Sequence, residues 1–118
     1  MRGAEEGALL RTLAVAHALV GVALYRREIT SIRRDGLVAA VPFRGPKATA
    51  FWFLLPSPLV WVIGRLVSDA GAAGDREALL RAHRVSLVSA AVAVLCMPVS
   101  GFWAWLAISA RGLRRARR

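Results

Sequence analysis

The stretch Val85 to Ala110, VSLVSAAVAVLCMPVSGFWAWLAISA, holds 26 residues without a charge. As one continuous helix it would be about 39 Å long, more than a single perpendicular crossing of a bilayer core needs. Pro98-Val99-Ser100-Gly101 interrupts it, and such a cluster reads as a kink or a tight turn. A kink leaves one long broken helix, about 78–97 running on through 101–110. A turn makes a hairpin and adds a fourth helix.

Two more apolar segments precede it. The first is about 7–25, GALLRTLAVAHALVGVALY, whose 19 residues reach about 28 Å as helix. Arg11 lies near its start, where a long side chain reaches back to the interface. The second is about 48–67 and carries Pro56 and Pro58 at its centre. Proline inside a membrane helix is tolerated where a neighbour serves the freed carbonyls, so a kink is expected there. The sequence therefore predicts an all-α, integral-membrane helical bundle with three strong apolar helices, in one domain over 1–118.

The charges lie between these segments. The 118 residues have 17 basic and seven acidic side chains, net +10, with mean hydropathy +0.50. A basic connector spans 28–47, with a turn signal at Asp35-Gly36 and room for a short interfacial helix. A Gly/Ala-rich loop is expected at 68–77, with Asp75 capping the next helix and Glu77 paired to Arg81. The tail 111–118 is RGLRRARR. Basic residues that flank bilayer-length apolar runs point to anionic lipid headgroups rather than to nucleic acid. Arg26, Arg27, Arg33, Arg34, Arg111, Arg114 and Arg115 are the expected headgroup contacts. With three crossings the connector and tail share one face and place 11 basic residues inside and six outside, as the positive-inside rule favours. The tail is then cytoplasmic in a multi-pass cell-membrane protein. Other membrane helices, or further copies of the chain, are the expected protein partners.

The residues AFWF (Ala50 to Phe53) and MPVSGFW (Met97 to Trp103), with HALVG (His17 to Gly21) and RDGLV (Arg34 to Val38), resemble a family of small bacterial integral-membrane proteins, domain of unknown function 6463. The resemblance covers about 13–105. It implies a compact multi-helix membrane protein and supplies no activity or cofactor. In that family the stretch after the SGFW-like residues is longer and reads as a fourth helix; this chain is shorter there.

Few residues offer chemistry. His17 lies at membrane depth, where an ionisable group is costly and faces protein or a water cavity. It is expected to hydrogen-bond Ser57, Ser86, Ser89 or Ser100 across the bundle, and His17, Ser57 and Ser100 form the one candidate intramembrane polar site. The expected interhelical positions are Ala14, His17, Gly21, Pro56, Ser57, Ser89 and Ala93. A metal needs more ligands than His83 and Cys96 can add. A catalytic carboxylate at Asp35 lacks a partner, and no phosphate-binding or nucleophile pattern occurs. No catalytic residue, metal or cofactor is expected. The expected function is non-enzymatic: a structural, accessory or regulatory membrane module. The alternative is a small transport or ligand-binding protein with a polar pocket around His17.

Overall fold

The computed structural model describes residues 3–118. Six helical segments follow in order: α1 (Ala4–Leu24), α2 (Arg26–Arg34), α3 (Pro46–Leu54), α4 (Pro56–Ala72), α5 (Arg76–Cys96) and α6 (Phe102–Arg117). Among the described residues there is no strand.

Proline placement explains the segmentation. Pro46 opens α3 where a missing N–H costs nothing, and Pro56 opens α4 inside the same apolar run. The run Pro46–Ala72 is one 27-residue apolar helix bent at Leu55, as the two central prolines predict. The connector contains α2, which starts at Arg26, two residues before the expected boundary. It then turns through Gly36 at φ +89°. Lys47 pairs with Asp35 and closes the connector on itself.

The loop expected at 68–77 shrinks to 73–75. Arg65 pairs with Asp69 one turn along, at 3.5 Å, and the alanines that follow continue α4. Asp75 caps α5 by accepting from the Ala78 N–H at 2.9 Å, and Arg81 donates to Glu77 at 3.1 Å, both as expected.

The break at Pro98–Gly101 is a hairpin, so α6 folds back along α5 as a fourth bundle helix. The chain cannot run on: Pro98 removes a donor and keeps Met97 extended, at φ −139°. Ser100 then starts the new helix. Its Oγ donates to the Met97 carbonyl at 2.7 Å and accepts from the Phe102 N–H at 3.3 Å. α6 also continues to Arg117 instead of stopping at 110, because Gly112, Leu113 and Ala116 keep a buried face inside the tail.

Polar ties fix the antiparallel arrangement. Arg76 at the start of α5 donates to the last carbonyls of α6, Nε to Ala116 at 3.0 Å and Nη2 to Arg117 at 2.7 Å. Arg111 and Arg115 reach Glu5 and Glu6 at the start of α1. One end of the bundle therefore gathers the beginning of α1, the α4–α5 turn and the end of α6. The connector and the Pro98–Gly101 turn lie at the other. The connector and the tail thus stand at opposite ends of the bundle.

α1 packs most closely on α4, and α5 on α6. Small residues permit the first pairing. A Cβ on Gly64 would stand 2.8 Å from the Gly7 carbonyl oxygen and 2.9 Å from Arg11 Cγ. The core holds Leu10, Ala14, Val60, Val67, Leu79 and Ala90, closed by Trp105. The outer surface is apolar: Val15, Leu19, Val20, Val62, Leu66, Val88, Val92 and Leu95 are all exposed. Three helices, Ala4–Leu24, Pro46–Ala72 and Arg76–Cys96, are long and apolar enough to cross a membrane. α6, at 16 residues, is shorter.

Candidate functional site

His17 and Ser57 do meet in space. They line a small pocket of about 50 Å³ with Pro56, Gly101, Phe102 and Trp105. His17 stands two turns past Leu10, Ser57 just below the bend of the α3–α4 helix. The imidazole does not bond a serine. Its Nε2 lies 2.8 Å from the Phe53 carbonyl oxygen, so this nitrogen carries the proton and donates. Pro56 and Pro58 leave the carbonyls of Trp52 and Leu54, four residues earlier, without their helical donors. His17 serves the carbonyl between those two. The ring also stacks on Phe53, with centroids 4.5 Å apart, and faces Phe102 at 6.4 Å.

Ser57 is buried, and its Oγ has no partner among the described residues. Ser100 lies outside this pocket and is occupied with the α6 cap. The three residues singled out from sequence thus divide into a pair and a capping residue.

A second polar set lies deeper. Ser86 and Ser109 are fully buried, their hydroxyls 2.7 Å apart, and the Trp105 indole N–H donates to Ser86 at 2.8 Å. One turn before Ser86, His83 is 1% exposed and packed against Gly112. Its Nδ1 finds no partner among the described residues. Near the termini, Glu6 is 2% exposed and accepts from Arg115 Nη1 at 3.0 Å, with Arg111 Nε at 3.6 Å. Glu5 binds the same two guanidinium groups from the outside.

Sequence reading missed Glu6, His83 and Ser109. The signal was present in spacing. Leu79, His83, Ser86, Ala90 and Val94 recur at three or four residues and define the buried face of α5. The expected face, through Ser89 and Ala93, is rotated from this one, and both residues are only half-buried. Ala14, Gly21 and Ser57 are buried as expected.

The arginines expected at headgroups also divide. Arg26, Arg27, Arg33, Arg34 and Arg114 are exposed. Arg111 and Arg115 already carry carboxylate partners. Among the described residues no group of three or more His, Cys, Asp and Glu side chains converges as a metal site requires. The arrangement can hold helices together.

No curated protein matches the chain, and no solved structure does. A family model described as a family of unknown function, DUF6463, matches residues 3–118, nearly the whole chain, and the chain belongs to that family.

Proposed function

We propose that the chain is a non-enzymatic integral-membrane module, a structural, accessory or regulatory bundle that acts through its lateral surface on other membrane components. One observation carries this reading: the distribution of polarity is inverted. Large apolar side chains cover the outside, while Glu6, His83, Ser57, Ser86 and Ser109 are buried. In water such an exposed apolar surface would drive aggregation. In hydrocarbon it is the solvated surface, and the buried polar groups join helices that have no hydrophobic drive to associate.

The hairpin at Pro98–Gly101 supports four crossings, with both termini on one face. Around the termini end stand ten arginines, Arg11, Arg65, Arg76, Arg81, Arg84, Arg111, Arg114, Arg115, Arg117 and Arg118, against six basic residues in the connector. By the positive-inside rule the termini are cytoplasmic. Four crossings therefore satisfy the rule as well as three would.

The test is cysteine accessibility in a Cys96→Ser background. A membrane-impermeant maleimide should label Arg44→Cys in intact cells, and Ala73→Cys or Arg118→Cys only after permeabilisation. Release of the chain from membranes by alkaline carbonate, or labelling of positions 44 and 118 from the same face, would overturn the reading.

A second reading, a small transport or ligand-binding protein, is favoured by the Ser57 hydroxyl, buried in the pocket wall without a partner among the described residues. Against it, the His17 proton is already spent on a backbone carbonyl. Proton uptake by dye-loaded proteoliposomes above that of empty vesicles, lost on His17→Ala, would support this second reading.

A further inference from the structure

The two helix pairs leave an open groove of about 500 Å³ between α4 and α5. Ile63, Leu66 and Ala70 form one wall, Ala78, Ala82 and Val85 the other. From Asp75 to Val85 the groove runs about 15 Å along α5, half of a hydrocarbon core about 30 Å thick. It starts at the termini end of the bundle and reaches the depth of one leaflet.

Its mouth is charged in a particular order. Asp75 stands outermost and lines the groove, with Oδ1 engaged in capping. The Arg81 side chain leans back along α5, as helical side chains do, and its guanidinium lies at the level of Glu77, just inside Asp75. Both Arg81 and Glu77 are strongly exposed, at 71% and 86%. Asp69, on the facing helix, is paired with Arg65 at 3.5 Å. A phosphodiester with a terminal ammonium matches this order: phosphate inward at Arg81, amine outward at Asp75. A headgroup with net negative charge has no amine to offer Asp75.

We propose that the α4–α5 groove seats one acyl chain of an amine-headed phospholipid from the leaflet on the termini side, with Asp75 and Arg81 reading its headgroup. The proposal rests on the membrane reading above. It differs from general attraction of the basic surface to anionic lipid, because the groove selects an amine.

The test is native mass spectrometry of the full chain, taken from bilayers with equal parts of phosphatidylethanolamine, phosphatidylcholine and phosphatidylglycerol of the same acyl chains. Phosphatidylethanolamine should be retained about three- to fivefold over phosphatidylcholine, the scale of one partly exposed ion pair. Asp75→Asn keeps the helix cap and should bring the two lipids to parity. Ala82→Phe fills the groove and should remove the retained lipid. Equal retention by the unaltered chain, a preference for phosphatidylglycerol, or retention unchanged by both variants would overturn the proposal. Carbonate release would instead refute the membrane reading, whereas an embedded chain without amine selectivity refutes the groove alone.

Discussion

Ser86 and Ser109 place their hydroxyl oxygens 2.7 Å apart at the centre of the α5–α6 hairpin, with neither side chain exposed. Trp105 adds its indole N–H to Ser86 at 2.8 Å. Ser86 is thus the hub, and its removal strands both Trp105 and Ser109. Hydrogen bonds between membrane helices average about 0.6 kcal/mol and reach about 1.7. Ser86→Ala should lower stability by about 1–2 kcal/mol and Ser109→Ala by about half that, read by denaturant titration in detergent. Equal effects would mean that Trp105 has another acceptor.

Gly112 and Gly64 both let helices approach, but against different neighbours. A Cβ on Gly112 would run into the His83 ring; one on Gly64 would meet the Gly7 backbone. Overpacking of this kind costs about 1–3 kcal/mol. Both alanine variants should be destabilised in thermal unfolding. His83→Ala should largely restore Gly112→Ala and leave Gly64→Ala unchanged, since only a side chain can be trimmed away. Rescue of both would contradict the local explanation.

How much of this was legible beforehand follows from what periodicity and proline encode. The helices, the bend at Pro56 and the Asp75 cap are local properties, and each appears where the residues put it. The Pro98–Gly101 break was visible, but kink and turn differ only in what α6 then packs against. That is decided by Ser86 meeting Ser109 across 23 residues, and by Glu5 and Glu6 meeting Arg111 and Arg115 across more than 100. Counting Lys and Arg does not separate the two arrangements, since either places 11 basic residues on one side and six on the other. His17 was correctly singled out as interhelical. Its acceptor, the Phe53 carbonyl, was unforeseen because a backbone carbonyl carries no side-chain signature.

The carboxylate–guanidinium cluster closes the termini end. Glu6 is nearly inaccessible, whereas Arg115 is half-exposed, at 54%. Breaking a fully buried pair costs about 3–5 kcal/mol; an exposed partner reduces that, and about 1–2 kcal/mol is expected for Glu6→Gln. Glu5→Gln, on the outer side, should cost less than Glu6→Gln and lose its effect at high salt. Denaturation at low and high ionic strength measures both. A larger loss from Glu5→Gln than from Glu6→Gln would reverse the assigned roles.

His17 joins two interactions that substitution can separate. Its ring stacks on Phe53, and its Nε2–H satisfies the Phe53 carbonyl in the bent region. His17→Phe keeps an aromatic ring and removes the donor; His17→Ala removes both. A neutral hydrogen bond contributes about 0.5–1.5 kcal/mol, and an aromatic pair a similar amount. His17→Phe should therefore lose about 1 kcal/mol and His17→Ala about 2, measured by unfolding in detergent. Because the bend exists where Pro56 denies the Trp52 carbonyl its donor, Pro56→Ala should straighten the helix and carry Phe53 away from His17. In that background the two His17 substitutions should differ little from each other. If His17→Phe remains as stable as the unaltered chain, the imidazole proton is not what holds α1 to the bend.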